Sequence, residues 1–307
     1  MKILIISKYG DSLVLGEKLA NEKHAVKVYV KDVKIQHPLI TPKPSAEDVI
    51  ADLTIVEDDS SGAFVEKAKE LNRPILGGGQ IADRLCKDSQ FLKGVVEGCG
   101  FELSRPETKG MAIDVGGWFN GETFIKPMFF GLRYERFGAG DVGNSALTMG
   151  LVGSYKMKGK LFSICRAFEV FLKTNSYRGF VNIKTYINNE KVLVSGVHLG
   201  LYIPTVHLLS HLHNSLGGFL FKVATGIATM ATAQPDRVCV GVVYLEKLAD
   251  IVVKRPVVCN SGETIEEAIS KTYKLVHKTV GDNAYYRVDI GSNYKQTLSH
   301  LKEWEWL

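Results

Sequence analysis

The chain has 307 residues, 45% of them hydrophobic and 23% charged, with a formal net charge of +5. These are ordinary globular values, enough for one large domain or two to three small packed ones. No apolar run reaches the roughly 18 residues of a membrane span, so no membrane partner is expected, while the mild basic excess suits an anionic substrate and permits nucleic acid.

The opening "MKILIISKYG" is a short apolar run that meets Lys8 and Asp11 directly. It lacks a signal peptide's cleavage region and reads as a strand over 2–7. A helix over 13–22 follows, and "HAVKVYVKD" (24–32) alternates apolar and polar residues as a strand does. "DLTIVED" (52–58) is a third strand ending in acids, "AFVEKAKELN" (63–72) a helix with Glu and Lys at i,i+4, and "RPILGGG" (73–79) a fourth strand running into glycines. Strands alternating with helices predict an α/β class with a parallel, doubly wound sheet. Its ligand crevice should lie at the strands' carboxyl ends, "SKYG" (7–10), "EDDS" (57–60) and "GGGQ" (77–80). Glu57, Asp58 and Asp59 read either as contacts to a ribose or amine or as a solvated strand end.

A helix over 88–100 has Asp88 or Ser89 as its N-cap and Gly100 beyond its end. "SRPETKG" (104–110) breaks the pattern and marks a boundary. "MAIDVGGWFNGETFIKPMF" (111–129) reads as a hairpin turning at Asn120–Gly121. "GAGDVGNSALTMG" (138–150) has too much glycine for the interior of a helix or strand. It is either a long surface connection or a backbone cradle whose N–H groups face an anionic or amino-acid-like ligand. Then come a helix around 160–174, a second hairpin over 178–200 turning at "NNEK", a mostly helical stretch over 205–233, and strands over 237–246 and 250–258. A helix over 264–280 starts with a Thr264–Glu267 capping box, and the chain closes near "YYRVDIG" (285–291). In "LKEWEWL", Trp304 and Trp306 alternate with acids, as in a docking strand or interface.

Cys86, Cys99, Cys165, Cys239 and Cys259 are scattered without a C-x-x-C, which favours a reducing cytoplasm over a disulfide frame and gives no zinc site. His207 and His211 have the i,i+4 spacing of a metal pair, but no Glu or Cys supports it, so they read, with His198 and His213, as packing or surface histidines. Lys8 and Arg84 read as phosphate contacts or solvated charges, and Arg287 with Asp289 as a structural pair or a substrate-positioning one.

In order, these motifs resemble the glycinamide ribonucleotide synthetase (phosphoribosylamine–glycine ligase) family of ATP-grasp enzymes over most of the chain. "MKILIIS" and its turn look like that family's opening strand and phosphate-facing loop, "ADLTIVED" like its third strand, and "PILGGGQIADRLCKDSQFLK" like its glycine turn and helix. "FNGETFIKPM" looks like the hairpin before the substrate loop. "GDVGNSALTMG" is similar to a loop reading Asp-x-Gly-Pro-Asn and ending Met-Gly, here Asp141, Gly143, Asn144, Met149 and Gly150. "YRGFVNIKTYINNEKV" looks like the first half of the metal-binding hairpin. The helix at 264–280 and Arg287, Asp289, Ile290 and Gly291 resemble the family's carboxyl-terminal helix and Arg-x-Asp-Ile-Gly signature.

The resemblance implies an ATP-grasp-like fold: an N-terminal α/β domain (1–103), a reduced ATP-grasp core (104–233) and a C-terminal α/β segment packed on it (234–307). Two features depart from the family. Only "FELSRPETK" stands where its small ATP-lid subdomain would sit, and even fully extended that stretch spans roughly 30 Å and buries nothing. The family's Mg²⁺ ligands, a Glu and a Glu-x-Asn, fall on "LVSGVHLGLYIP" (193–204), which has no acid; the acids expected after Gly110 are Met111 and Ala112. Conventional ATP and Mg²⁺ use is therefore not expected, and no cofactor is assigned.

What remains is the acceptor side. The expected activity is a transferase joining the amine of a glycine-like amino acid to a phosphate- or pyrophosphate-activated acceptor without ATP. Reduced relatives of metabolic ligases occur in viral genomes, and some viruses attach amino acids to activated hydroxymethyl-pyrimidines in DNA, so DNA and a host cytoplasm are carried as candidates. The alternatives are an ATP-dependent carbon–nitrogen ligase and a non-catalytic binding protein on the same fold. Asp141 and Asn144 are the expected catalytic pair. Lys8, Gly10, Gly77, Gly78, Gly138, Gly140, Gly143, Arg287 and Asp289 are the expected substrate-binding residues.

Overall fold

In the computed structural model, residues 1–32, 36–41, 50–57, 61–105, 108–235, 237–248, 251–254, 256–281 and 283–307 are described. β1 (Lys2–Ser7), α1 (Leu13–Asn21), β2 (Ala25–Val30), β3 (Ile40–Thr41), β4 (Leu53–Val56), α2 (Gly62–Glu70) and β5 (Ile75–Leu76) build an all-parallel sheet ordered β3-β2-β1-β4-β5. β1 and β4 are nearly continuous apolar runs because both their faces are covered. Ile3, Ile5 and Ile55 pack with Leu15 and Leu19 of α1, while Leu4, Ile6 and Val56 pack with Val65 and Ala68 of α2. The doubly wound unit is thus present, with its strand order reversing between β1 and β4. Asp58 and Asp59 lie outside the described residues.

α3 (Gly79–Lys87) and α4 (Ser89–Gly98) follow, and Asp88 rather than Ser89 is the cap of α4: its carboxylate accepts from the Phe91 N–H at 2.9 Å. β6 (Glu102–Leu103), β7 (Met111–Phe119), β8 (Phe124–Gly138) and β9 (Val142–Lys156) lead into α5 (Ser163–Ala167) and α6 (Glu169–Thr174). Then come β10 (Gly179–Ile187), β11 (Val192–Leu199), α7 (Thr205–Leu212), α8 (Gly217–Thr225), β12 (Val238–Leu248), β13 (Ile251–Lys254), β14 (Val257–Gly262), α9 (Ile265–Thr279), β15 (Ala284–Tyr286) and α10 (Tyr294–Glu303). These strands make one ten-stranded sheet, β13-β12-β9-β8-β7-β10-β11-β6, with β14 and β15 both pairing β12. β6 enters it by pairing β11, and β12 joins at β9, so strands from all three stretches of the chain share it.

Gly138–Gly150 is not a loop. Gly138 and Val142 are cross-strand partners at the tip of the long β8–β9 hairpin, and the rest of the segment lies in β9. Its glycines serve two local needs. Gly140 and Gly143 adopt φ of 72° and 83° at the tip, and Asp141 itself sits at 58°. Further along, a Cβ on Gly150 would meet Ile290 at 2.7 Å, so glycine there lets α10's leading segment close on the sheet. The carboxyl terminus docks as a helix end and tail, not as a strand: the Trp306 indole donates to the Asn188 carbonyl (3.2 Å) and the Leu161 N–H to the Trp306 carbonyl (2.9 Å).

The larger sheet packs on both faces. One face carries Val115, Phe130, Leu132 and Val181 against Leu161, Phe168 and α9. The other carries Trp118, Phe129, Leu151 and Phe180 against α7, α8 and the inner face of the parallel sheet, so the two sheets share one core. Trp118 anchors it edge-on to Phe180 and Phe219 and donates to the Tyr155 hydroxyl at 3.1 Å. Among the described residues no helix is long and apolar enough to cross a membrane.

Candidate functional site

The residues singled out from sequence fall into two places. At the carboxyl ends of β1 and β4 the Ser7 hydroxyl donates to the Glu57 carboxylate and accepts from the Gly10 N–H at 2.9 Å. Lys8 lies 5.0 Å from the Tyr9 ring. Beyond β5 the glycines are packed against protein: a Cβ on Gly78 would lie 2.4 Å from the Leu199 carbonyl oxygen, and one on Gly77 would lie 3.0 Å from Val56 and Val65. The cavity beside them, lined by Val56, Gly77, Trp118 and Phe180, is apolar and about 10 Å³, room for at most a single water. Gly77 and Gly78 thus let β5 approach β11 and leave no space there for an anion.

The second place is the hairpin tip, where Gly138, Gly140, Asp141, Arg287 and Asp289 do meet. Asp141 Oδ1 accepts from the N–H groups of Glu135 (3.2 Å) and Arg136 (3.1 Å) and from Arg287 Nη1 (2.6 Å). Arg287, 2% exposed, also donates from Nε and Nη2 to Asp289 (2.9 and 2.7 Å), and Asp289 accepts from the Gly140 N–H at 2.7 Å. Although burial opposes the charge, the hydrogen bonds it donates to Asp289 and Asp141 raise the Arg287 pKa; that of Asp289, against its own burial, is lowered by Arg287. These polar groups are spent on one another. Asn144 is exposed on β9, next to a Gly143 carbonyl that accepts from Arg136 at 2.6 Å. The geometry is that of a clasp on the hairpin, with Asp141 capping its own turn.

A different set of residues forms a polar patch on the sheet face that carries Trp118 and Phe180. Side chains alternate along a strand, so Asp114, Arg133, Asn182, Lys184 and His198 all point opposite to the apolar Ile113, Val115, Leu132, Val181, Ile183 and Val197. Lys184 stands directly across from Asp114 on β7, and Asn182 across from His198 on β11. The Arg133 guanidinium donates to Asp114 and, at 2.7 Å, to Glu135. Asp114 Oδ2 also accepts from Asn182 (3.0 Å) and from the Tyr202 hydroxyl (2.8 Å), while Tyr186 donates to Glu135 at 2.5 Å. The His198 ring stacks on Tyr202 at 4.9 Å, and Lys184 lies 5.2 Å from the same ring. The N-terminal unit borders the patch, with the Cys86 thiol of α3 at 4.0 Å from His198 Nδ1.

The patch is electrostatically polarised. Burial lowers the Lys184 pKa, and the neighbouring Arg133 charge adds to it. Burial holds His198 well below its usual value, reinforced by Lys184 and Arg133, so its imidazole is neutral at pH 7. Among the described residues, Arg133 Nη2 and Asn182 Oδ1 are buried without a hydrogen-bond partner, a donor and an acceptor at the centre of the patch. Except for His198, the sequence reading passed over these residues, because they form no contiguous motif. The available signal was a single polar residue set between apolar neighbours, repeated in "IDV", "LRY" and "VNIK".

No protein-family model and no curated protein matches the chain. Solved structures do. Phosphoribosylamine–glycine ligase from Thermotoga maritima aligns with a TM-score of 0.70 at 14% identity, over 94% of this chain and 100% of that one. N5-carboxyaminoimidazole synthetase from Staphylococcus aureus, complexed with ADP, aligns with a TM-score of 0.60 at 9% identity, over 90% and 97%. The biotin carboxylase domain of a single-chain bacterial carboxylase aligns with a TM-score of 0.57 at 8% identity, over 99% and 100%. At such identities the likeness is one of fold: the chain has an ATP-grasp-like α/β fold.

Proposed function

We propose that the chain is a ligase-like enzyme that forms a carbon–nitrogen bond between an amine, such as that of an amino acid, and an anionic acceptor on the polar face of the larger sheet. One observation carries this reading: Asp114, Arg133 and Asn182 are locked together inside the sheet, and a neutral His198 and a destabilised Lys184 cation stand beside them. Such a face has the parts that amide-type chemistry needs. Arg133 Nη2 supplies a donor for an anion, and the neutral imidazole can accept the proton that an attacking amine loses as the bond forms. The solved structures of the same fold include a ligase and a synthetase, which supports the reaction class.

A magnesium ion bound by this chain would need free hard-oxygen ligands. The carboxylates at the centre of the face, Asp114 and Glu135, already accept from Arg133, Asn182, Tyr202 and Tyr186, and β11 carries none. We infer that the face does not fit a divalent cation, and no step is routed through one. Residues 104–110 are all that lies between β6 and β7, where the resembling family carries its lid. That short connection favours a second reading, in which the acceptor arrives already activated by phosphate or pyrophosphate, as a free nucleotide or a hydroxymethyl-pyrimidine in viral DNA, and ATP is not used.

Calorimetric titration with ATP–Mg²⁺, glycine and duplex DNA, each alone and each repeated on Lys184→Met, tests both. Micromolar, Mg²⁺-dependent ATP binding lost in the variant supports ligation and removes the ATP-free reading. Glycine and DNA binding without ATP supports the second. Heat from none of the three defeats both and leaves a non-catalytic binding protein.

A further inference from the structure

A second chemically distinct cluster lies where α7 crosses β12 and β14. Cys239 and Cys259 come from neighbouring antiparallel strands, with Cys239 opposite Ser261 and Cys259 opposite Gly241. All four residues therefore share one sheet face, and the two thiols sit diagonally across it with their sulfurs 3.8 Å apart. Both are buried, at 0% and 6% exposure. α7 covers them: Leu208 fills the space above Gly241, and the nearby His211 acts electrostatically on the Cys259 thiol. The i,i+4 helical histidine pair noted in the sequence thus has a cysteine beside it after all, brought from a distant strand. None of these residues belongs to the polar face.

We propose that Cys239 and Cys259 form a reversible disulfide, with His211 as the base that readies Cys259. The reactivity order of the thiols fits this assignment. Burial pushes the Cys99 and Cys165 thiols up and keeps them protonated. Burial acts the same way on Cys259, but the S–H donated by Cys239 and the adjacent His211 outweigh it and pull its pKa down. Cys239 moves the opposite way, raised by burial and by its bond to Cys259, so it is the thiol that keeps its proton. Thiolate character decides which sulfur attacks.

With a hydroperoxide as oxidant the steps balance. Cys259 gives its proton to His211, and its sulfur attacks the near peroxide oxygen. The O–O bond breaks, and the leaving oxygen takes the proton from His211 and departs as water or an alcohol, leaving a sulfenic acid on Cys259. The Cys239 sulfur then attacks the Cys259 sulfur. The S–O bond breaks, the hydroxyl leaves as water with the Cys239 proton, and the S–S bond forms. Two thiols are oxidised and one peroxide is reduced. Closure from 3.8 Å to the roughly 2.0 Å of a disulfide draws the two strands together at this point, and a small dithiol reverses it by exchange.

The test uses the full chain, treated with hydrogen peroxide, alkylated and mapped by mass spectrometry. The expected product is a peptide pair joined through Cys239 and Cys259, 2 Da lighter than the reduced pair, lost on adding dithiothreitol, and accompanied by a higher Tm than the reduced chain. His211→Gln should slow its formation about tenfold without changing the linkage. The proposal is overturned if the wild-type chain oxidises at the exposed Cys86 while Cys239 and Cys259 remain fully alkylatable, or if His211→Gln forms the bond at the wild-type rate. Neither result depends on a cysteine variant folding.

Discussion

Arg133 and Asp114 meet across the adjacent strands β8 and β7 as an ion pair whose two side chains are each 1% exposed. A buried pair of this kind is a weak net stabiliser when intact, but costly to break, because the surviving charge is stranded. Arg133→Met should therefore lower stability by about 3–5 kcal/mol, leaving Asp114 with Asn182 and Tyr202 as its side-chain donors among the described residues. The double variant Arg133→Met, Asp114→Leu should recover at least half of that loss. Urea denaturation of both proteins checks it, and a double variant no more stable than Arg133→Met would show that the charge is not what matters.

Lys184 gives the contrasting case. Its ammonium is held against its preference by burial and by Arg133. Lys184→Met should leave the Tm unchanged or raise it slightly, while abolishing any binding of an anionic ligand to the polar face. A Tm drop like that of Arg133→Met would assign Lys184 a structural role and weaken the proposed site.

Asp141 should behave as a clasp. Asp141→Ala strips the Glu135 and Arg136 N–H groups of their acceptor and leaves Arg287 with Asp289 alone among its carboxylates. A stability loss of about 1–3 kcal/mol is expected, with ligand affinity unmoved. Affinity that falls while the Tm holds would return Asp141 to the ligand loop that the sequence first suggested.

That reversal shows what the sequence made legible. The parallel unit could be read because buried parallel strands are compact apolar runs and their helices carry regular periodicity, as in "KILIIS" and "AFVEKAKELN". Arg287, Asp289 and Gly140 were singled out as chemically unusual, and they do converge. Their place at a hairpin tip was not legible because glycine marks both ligand cradles and tight turns, and only the pairing of Gly138 with Val142 reveals the tip. The polar face was nearly invisible because its members lie on four different strands, β7, β8, β10 and β11, and share only a side of the sheet. The Cys259–His211 contact was hidden for the same reason: strand β14 and helix α7 meet only once the sheet has formed.

Buried neutral histidines should make the protein acid-sensitive. Burial, aided by Lys18, lowers His213 to about 3, and burial, aided by His211, lowers His207 to about 4. Between their unfolded value of 6.5 and these folded values, the unfolded chain binds protons that the native chain refuses, so stability falls as pH drops through that window. At pH 5 each histidine costs roughly 2 kcal/mol. Asp11, raised by burial to about 6, works the other way. Its native form takes up a proton first, returning roughly 1 kcal/mol at pH 5. Together these three groups cost about 3 kcal/mol between pH 7 and pH 5, a loss that the buried neutral His198 deepens and the raised His211 opposes. His213→Gln should flatten this limb, and an equally steep limb in that variant would rule His213 out as its source.

The last prediction concerns how the parallel unit is held on the larger sheet. Glu22, at the end of α1, sends its carboxylate to the N–H groups of Leu216 (2.9 and 3.0 Å) and Gly217 (2.8 Å), the first turn of α8. A helix N-terminus leaves these donors without intrahelical partners and carries a partial positive charge, so an anionic cap from another element satisfies both. α8 in turn packs Phe219 against Trp118 in the shared core. Glu22→Ala should cost roughly 2–3 kcal/mol, the worth of charge-assisted hydrogen bonds at a mostly buried site, and Glu22→Gln, which keeps an acceptor without the charge, about half as much. Because the contact joins two units, the loss should also separate their unfolding. Tryptophan fluorescence, from Trp118, Trp304 and Trp306, and far-ultraviolet circular dichroism should coincide in the wild-type urea transition and diverge in Glu22→Ala. Coincident curves at unchanged midpoint would mean that the shared apolar core alone holds the two sheets together.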